Sequence, residues 1–227
     1  MALNIAYEDG DVIICNKLPG VLSQSDRSFE KDLQSEILLY MKEKGEKPVA
    51  YIINRLDKPV GGLVLFAKNK KTAALLSAMS GEHSIEKKYY AVVKGRLTDK
   101  GEFVDYLLKD SNNNFSRIVQ KGTANSKKAV LGYEALEQKN IDGEIYTLVR
   151  ISLHTGRHHQ IRVQFSGRGF ALYGDVKYNN DFNSRRGITP ALFAYSLAFN
   201  NPNGAERIKV EIKPEGKIWE FEYFQKE

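Results

Sequence analysis

Residues 53–63 read INRLDKPVGGL and join two short apolar segments, Val49–Ile53 and Leu63–Ala67. Apolar runs of this length predict β-strands, so the polar residues between them form a loop. Pro59 fixes its own φ and pushes the residue before it towards extended geometry. The two glycines that follow permit turns and the close approach of a ligand. The stretch therefore predicts a tight loop between two strands, with Asp57 near its centre.

Asp57 lies between two cations of this loop, Arg55 and Lys58. Nearby positive charge favours the ionised form of a carboxyl group, which a catalytic carboxylate needs. Most aspartates in loops, however, only accept hydrogen bonds from the backbone of their own turn. The loop by itself therefore leaves two interpretations open, a catalytic carboxylate and an Asx turn.

A second polar segment, residues 153–164 (LHTGRHHQIRVQ), lies where a predicted strand gives way to a predicted helix, Gln160–Ser166. If the helix begins near His158, its unpaired N–H groups, helped by Arg157, would bind a phosphate. A zinc site built from the three histidines is a competing interpretation. No fourth ligand lies at a suitable spacing. The glutamate that stands between the histidines of zinc proteases is also missing here. An ordinary polar helix start is the third interpretation.

A third segment, residues 87–95 (KKYYAVVKG), predicts a strand. Side chains alternate between the two faces of a strand, so Tyr89 and Tyr90 point in opposite directions. A tyrosine on a strand usually packs in a core or on a surface. A tyrosine that faces a nucleotide site stacks on a base instead.

The rest of the chain is rich in strands. The predicted strands are Ile5–Tyr7, Val12–Cys15, Tyr89–Lys94, Glu102–Leu108, Ser116–Val119, Ala129–Leu136, Ile145–Leu153, Leu192–Phe199, Arg207–Ile212 and Trp219–Tyr223. Two further helices are predicted, one from the helical spacing of Phe29, Leu33, Ile37, Tyr40 and Met41, the other over Lys70–Met79. Without regular β-α-β alternation, the pattern predicts an α+β fold with an antiparallel-dominated mixed sheet and flanking helices, not a Rossmann fold. We expect one domain over residues 1–227, with loops at Asp110–Asn114 and Asn179–Gly187, the second a possible lid.

The composition narrows the class of protein. A net charge of +6 and a pI of about 9.2 suit a polyanionic partner, although charge alone does not decide between a nucleic-acid binder and an ordinary basic protein. Cys15 is the single cysteine, which excludes an internal disulfide or a cysteine-built metal cluster and fits a reducing cytoplasm. No window approaches the roughly 18 apolar residues of a membrane span. We therefore expect a cytoplasmic protein without a membrane anchor.

Four segments together resemble the RluA-type pseudouridine synthases. Ile53–Leu63 is similar to the family's catalytic loop HRLDxxTSGL, Lys87–Ala91 to KxYxA, His154–Arg162 to xTGRxHQIR, and Leu172–Tyr178 to hxGDxxY. The order and approximate spacing of the segments also match the family. The Arg-Leu-Asp element and the Gly-Arg-x-His-Gln-Ile-Arg element are specific when they occur together.

The chain departs from the family pattern at two places. Asn54 stands where the family usually has histidine, and Val60-Gly61 stand where it usually has Thr-Ser. Neither place is the expected nucleophile, so the departures bear on the shape of the RNA contact. We also expect the family's accessory S4-like domain to be missing, because only 56 residues precede Asp57 and they resemble part of the catalytic domain.

The resemblance implies the pseudouridine synthase fold with a central active-site cleft, and an isomerase that converts uridine in RNA to pseudouridine. It gives Asp57 the role of nucleophile, attacking either the sugar or the base. It gives Arg162 the role of keeping that carboxylate charged and oriented. Tyr89 would stack on the target uracil and is a candidate to remove the C5 proton, although its ordinary pKa near 10 makes it a poor base. The reaction is redox-neutral and not hydrolytic, so no cofactor and no metal are expected.

The resemblance also implies how RNA is bound. The target nucleotide must flip out of its helix at a cost of a few kcal/mol, and Arg55 is suited to fill the space it leaves. The predicted RNA contacts are Asn54, Arg55, Lys87, Arg157, His159 and Gln160. Lys68, Lys70, Lys71 and Lys88 are further candidates for phosphate contacts, for which a solvated surface is an equally good explanation.

The expected partner is a stem-loop of ribosomal or transfer RNA, bound by a monomer. Two alternatives remain. The first is a catalytically silent RNA-binding protein on the same scaffold. The second is a metal-dependent nuclease that uses Asp57, Asp175 and the histidines, whose activity a chelator would abolish.

Overall fold

The computed structural model describes residues 3–26 and 30–226, and the chain divides into two compact units. The first unit is Met1–Glu86 with Ala194–Ile212, and the second is Lys87–Phe193 with Lys213–Glu227. The single domain over residues 1–227 stays a prediction.

The described part of the chain contains eleven strands, three α-helices and three short 3-10 helices. In chain order they are β1 (Ile5–Glu8), β2 (Val12–Lys17), α1 (Leu33–Glu43), β3 (Tyr51–Ile52), β4 (Gly61–Ala67), α2 (Lys70–Gly81), β5 (Glu86–Lys94), β6 (Lys100–Asp110), β7 (Phe115–Val119), β8 (Lys127–Ile141), β9 (Glu144–Leu153), α3 (Gln160–Ser166), η1 (Asn180–Phe182), β10 (Leu192–Asn200), β11 (Arg207–Glu211), η2 (Lys217–Trp219) and η3 (Glu222–Gln225). The predicted α+β class is confirmed.

The sheet of the first unit has the strand order β1-β2-β4-β10, with β3 beside β4 and β11 beside β10. The pairs β1–β2, β2–β4, β3–β4 and β10–β11 are antiparallel. The register of β2 against β4 places Lys17 directly opposite Gly62. The last residue of β2 therefore lies beside the point where the loop of Asp57 ends and β4 begins.

Alternating apolar residues of this sheet form the core of the first unit. One face of β2 and β4 packs with α2 and with the last two strands; its buried residues are Val12, Ile14, Leu63, Leu65, Ala67, Ala73, Leu76, Ile85, Leu197, Phe199, Ile208 and Val210. α1 buries Leu33, Ile37 and Met41, which recur every four residues, and begins at the N-cap Asp32. The predicted helix is confirmed over these residues, while Phe29 lies outside the described part of the chain.

The second unit is built on the antiparallel strand order β5-β9-β8-β6-β7. α3 packs against β6 and β7, and its Val163 is buried with Leu107, Ala129 and part of Tyr178. The register of β5 against β9 pairs Tyr89 with Ile151, which is fully buried. This sheet therefore holds the predicted tyrosine and the predicted helix of the second unit.

One expectation about the second unit is wrong, and another, the lid at Asn179–Gly187, stays a prediction. The predicted strand Trp219–Tyr223 is wrong, because the segment forms two 3-10 turns. The backbone N–H groups of Glu222 and Tyr223 donate to the Glu137 carboxylate on β8 and so do not join a strand ladder. The Asn179–Gly187 loop contains η1 and is tied down at its start, where Asp181 pairs with Lys94 at 2.7 Å.

None of the helices among residues 3–26 and 30–226 is long and apolar enough to cross a membrane.

Candidate active site

The base of the Asp57 loop is closed by the side chain of Asn54. Its Nδ2 donates to the carbonyl of Leu63 at 3.3 Å, and its Oδ1 accepts from the N–H of Leu65 at 2.8 Å. The amide thus joins the start of the loop to the strand at its end. The RNA contact predicted for Asn54 stays a prediction, and the structure gives the residue a different task, which is to hold the loop.

A buried serine fixes the residue before Asp57. The Ser23 hydroxyl donates to the carbonyl of Leu56 at 2.9 Å and accepts from the N–H of the same residue at 3.1 Å. Ser23 is 5% exposed, so water does not compete for these bonds. Sequence reasoning missed Ser23, because nothing in its surroundings separates it from an ordinary turn serine.

The loop is also held by Lys17, which is 1% exposed. Its Nζ donates to the carbonyls of Leu18 at 3.1 Å, Val21 at 2.8 Å and Lys58 at 3.2 Å. Burial lowers the pKa of Lys17 to about 7, and the negative charge of Asp57 acts in the opposite direction. The Lys17 side chain therefore joins residues 18–21 to the Asp57 loop, and its protonated form places a positive charge near the Asp57 carboxylate. A lysine that ends an apolar strand before Pro-Gly was the signal available in the sequence.

Gly62 of the loop lies directly against the backbone of another strand, which leaves no room for a side chain. Gly62 has φ +115°, and a Cβ there would lie 2.3 Å from the carbonyl oxygen of Ala194. No other residue fits this position without a shift of the backbone. The turn is closed by the N–H of Val60, which donates to the carbonyl of Asp57 at 2.9 Å. The close approach expected for a ligand is thus made at Gly62 by the chain itself.

β5 presents the predicted tyrosines on opposite faces. Tyr90 packs edge-on against Tyr223 and Phe224, with ring centroids 6.0 and 4.9 Å away. Tyr89 is 6% exposed and shares the other face with Lys87, because residues two apart on a strand point the same way. Burial lowers the pKa of Lys87. Tyr90 is therefore a packing residue, while Tyr89 and Lys87 are the pair on the face left for the predicted chemistry.

Arg162 is a buried residue of α3 held by a bidentate ion pair. Its Nε and Nη2 donate to the two carboxylate oxygens of Asp175, each at 2.7 Å. Arg162 is 3% exposed and Asp175 is fully buried. The guanidinium carbon lies 5.1 Å from the centre of the Tyr178 ring. The Leu172–Tyr178 motif thus supplies two side chains that surround Arg162.

Other predicted RNA contacts lie inside the second unit. Gln160 is 3% exposed; its Oε1 accepts from the Thr155 hydroxyl at 2.7 Å and the Arg157 N–H at 3.0 Å. His159 is 8% exposed and its Nδ1 lies 2.8 Å from the Tyr178 hydroxyl. Direct RNA contacts by these two residues stay predictions that their burial does not favour. Arg157 is half-buried, and its Nε donates to a backbone carbonyl at 2.9 Å.

Two of the three histidines of this segment, His158 and His159, form hydrogen bonds with polar side chains. The two rings of His158 and His159 stack at 3.7 Å, and the nitrogens of His158 lie 2.8 Å from the Ser116 hydroxyl and 2.9 Å from Asn114 Oδ1. Among the described residues, no group of three or more His, Cys, Asp or Glu side chains is placed to hold a metal ion. These contacts give His158 a structural role in positioning β7.

One of the candidate phosphate-binding lysines is a structural residue. The side chain of Lys68 is 9% exposed, and its Nζ pairs with Glu8 at 2.9 Å and Glu46 at 2.8 Å. Lys70 and Lys71 at the start of α2 are exposed. Phosphate contact therefore remains a prediction for these two and not for Lys68, whose charge is already paired.

The chain is similar to known RNA-modifying enzymes over most of its length. A family model described as RNA pseudouridylate synthase matches residues 11–167. The tRNA pseudouridine synthase C of Haemophilus ducreyi is 31% identical over 224 residues, which cover 92% of this chain and 90% of that protein. The ribosomal large subunit pseudouridine synthase D of Neisseria meningitidis is 31% identical over 222 residues, 93% of this chain but 58% of that protein.

Two solved human structures share the fold. The human protein named RNA Pseudouridylate Synthase Domain Containing 1 superimposes with a TM-score of 0.77 at 23% sequence identity. The superposition covers 94% of this chain and 84% of the human chain. The human protein named RNA Pseudouridylate Synthase Domain Containing 4 superimposes with a TM-score of 0.73 at 20% sequence identity, and the superposition covers 92% of this chain and 88% of the human chain. At these identities the similarity concerns the fold alone.

Proposed function

The chain belongs to the RNA pseudouridylate synthase family, and from this premise we propose that Asp57 is the nucleophile with which it isomerises uridine in RNA. The observation that carries the proposal is the clamping of the Asp57 loop by three side chains, Asn54, Ser23 and Lys17. A loop tied at its base, its middle and its far side presents one carboxylate in one place. Such preorganisation lowers a reaction barrier because no ordering is required during the reaction.

The reaction breaks the N1–C1′ bond of uridine, turns the uracil and forms a C5–C1′ bond. The C5 proton leaves and N1 gains a proton, so atoms balance with no oxidant, reductant or added water. In the proposed mechanism Asp57 attacks the sugar or the base and is released when the new bond forms. Lys17 holds the far side of the loop, because its Nζ donates to the carbonyl of Lys58 directly after Asp57.

Two residues of the second unit complete the proposed chemistry. Arg162 keeps the nucleophile charged and oriented through a charge-assisted pair. Tyr89 stacks on the uracil and is the candidate for removing the C5 proton; its place on the face of β5 shared with Lys87 supports a role beside a cation.

The proposed substrate is a uridine in a stem-loop of transfer or ribosomal RNA. The target base flips out, Arg55 fills the vacated stack, and Arg157 and Lys87 contact phosphates. The length matched in the tRNA pseudouridine synthase C relative, 90% of that protein, favours transfer RNA as the first class to test. We propose that the enzyme acts as a monomer in the cytoplasm.

The test is a pseudouridine map of total RNA from cells that lack the gene and carry wild type, Asp57→Asn or Asp142→Asn. The control, Asp142, is an exposed aspartate of the β8–β9 turn with φ +53°, a conformation that asparagine adopts readily. We expect one or more sites to disappear and to return with wild type and with the control, but not with Asp57→Asn. Restoration by Asp57→Asn would exclude Asp57 as nucleophile. RNA binding with no modified site in any strain would favour the silent RNA-binding alternative.

A further inference from the structure

We propose that Asp175 is a positioning residue that sets the orientation of the Arg162 guanidinium, with Tyr178 as the platform against which it lies. The inference rests on the proposed function, which gives Arg162 the task of holding the nucleophile charged. It adds two residues that do not touch the reacting atoms and that act only through Arg162.

The bond pattern between Asp175 and Arg162 leaves one orientation of the guanidinium. Nε and Nη2 donate to separate oxygens of the same carboxylate, both at 2.7 Å. Two parallel hydrogen bonds keep both planar groups in a common plane and stop rotation about the last bonds of the arginine side chain. A single bond, or a lysine in place of the arginine, would not fix that plane.

Asp175 is itself held by the backbone and does not depend on Arg162 for its position. Its Oδ1 accepts from the N–H groups of Lys177 at 3.0 Å and Tyr178 at 3.3 Å. The preceding Gly174 has φ +72°, and a Cβ there would lie 2.3 Å from the carbonyl oxygen of Thr189. The chain therefore makes a turn that only glycine permits and delivers the carboxylate already oriented.

Tyr178 is fixed at both ends of its side chain. Its ring stacks on Phe115 with centroids 4.4 Å apart and planes at 26°. Its hydroxyl accepts from the N–H of Ser116 at 2.8 Å and lies 2.8 Å from Nδ1 of His159. A ring held in this way gives Arg162 a rigid aromatic neighbour, 5.1 Å from the guanidinium carbon.

The energetics of the pair support a purpose other than stability. Arg162 is 3% exposed and Asp175 is fully buried, so both charges have lost their water. Replacing such a pair with apolar residues of similar volume is often neutral or stabilising, because desolvation offsets the attraction. The neighbours of Arg162 along α3, Ile161 and Val163, are buried and apolar. The presence of the buried Arg162–Asp175 pair beside these apolar residues is explained by the orientation that Asp175 gives to the Arg162 guanidinium.

The experiment measures single-turnover rates on a synthetic stem-loop that contains the uridine identified by the RNA map. The variants are Asp175→Asn, Arg162→Met and the double variant, and Asp181→Asn serves as control because it removes an exposed partner of Lys94. In Asp175→Asn the new amide opposes the Nε–H donor, so one of the two bonds is lost. We expect the rate at saturating RNA to fall about 30-fold, while the half-saturating RNA concentration stays within about threefold.

The double variant separates a positioning role from a structural one. If Asp175 acts through Arg162, Asp175→Asn will cost nothing further once Arg162 is replaced. A rate of Asp175→Asn within about threefold of wild type, or losses that multiply in the double variant, would overturn the inference. A wild-type rate for Arg162→Met would overturn the role proposed for Arg162 and this inference with it, whereas the Asp57 map would stand.

Thermal unfolding of each variant shows whether the fold is kept. If Asp175→Asn does not fold, Tyr178→Leu decides, because it removes the aromatic platform and leaves the ion pair. A lower rate at saturating RNA with unchanged half-saturation supports the inference. A wild-type rate of the Tyr178→Leu enzyme overturns it.

Discussion

Replacing Lys17 with methionine removes the ammonium group from three carbonyls and keeps a side chain of similar length. Val21 has no other donor to its carbonyl among the described contacts, whereas Leu18 also accepts from the Val21 N–H at 3.3 Å and Lys58 from the Gly20 N–H at 2.8 Å. A buried carbonyl left without a donor costs about 1–3 kcal/mol, and the two that keep a donor cost less. We expect the free energy of unfolding to fall by about 2–3 kcal/mol in Lys17→Met.

The same change loosens the Asp57 loop from residues 18–21. Misplacement of a reacting group by about 1 Å can cost about 100-fold in rate, so we expect the single-turnover rate to fall by about 10- to 100-fold. RNA affinity should change little, because the lysine is buried. Urea unfolding followed by fluorescence of Trp219, with rates at saturating RNA, measures both effects. Lys42→Met is the matched control, an exposed lysine of α1.

The pH dependence of stability gives an independent check on Lys17. The pKa of Lys17 is about 7 in the folded protein, whereas the unfolded chain has the ordinary lysine value of 10.5. Between these two pH values the unfolded chain therefore binds a proton at Lys17 that the folded protein does not bind. Stability therefore rises with pH in this window, by at most about 1.4 kcal/mol per pH unit from this group. We expect the stability gap between wild type and Lys17→Met to widen from pH 7 to pH 10. An unchanged rate together with an unfolding free energy within about 0.5 kcal/mol of wild type would refute the role given to Lys17.

Two further predictions concern the first unit. Burial raises the pKa of Glu8, but hydrogen bonds from Lys68, Tyr40 and Lys44 outweigh it and bring the pKa down to about 2. The resulting stability is present above pH 4.5 and is lost as the pH falls through 2. At pH 6 we therefore expect the free energy of unfolding of Glu8→Gln, measured by urea titration, to be about 1–2 kcal/mol below that of wild type. At pH 2.5 the difference should be smaller. Gly62→Ala forces a Cβ to 2.3 Å from a backbone oxygen, and we expect a loss of more than about 3 kcal/mol, measured by thermal unfolding; a wild-type melting temperature would contradict the geometry.

The sequence alone predicted correctly those elements that depend on residues close together in the chain. The loop of Asp57 lies between an apolar strand and a proline-glycine turn, and α1 follows the spacing of Leu33, Ile37 and Met41. The false strand at Trp219–Tyr223 has the same apolar composition, but its backbone hydrogen bonds go to a carboxylate on β8 that the local sequence does not reveal.

The supports of the site depend on contacts that no local pattern shows. Ser23 binds Leu56 across 33 residues of sequence, and Lys17 binds the carbonyl of Lys58 across 41. Gln160 belongs to a motif whose resemblance to RNA-binding enzymes is plain, yet the motif does not say whether a side chain faces the RNA or the interior. Resemblance thus finds the segments of a site, whereas burial separates residues that can meet the substrate from those that support them.

Because the side chain of Asn54 is an amide, the two hydrogen bonds that close the base of the Asp57 loop do not depend on pH. Its two hydrogen bonds require one donor, to the Leu63 carbonyl, and one acceptor, from the Leu65 N–H. An imidazole at this position, the residue usual in similar enzymes, offers both only while it is neutral, and it becomes a double donor once protonated. An amide keeps both roles at every pH that a cell experiences. The loop of this chain can therefore keep the same anchoring in mildly acidic conditions that would weaken a histidine-closed loop.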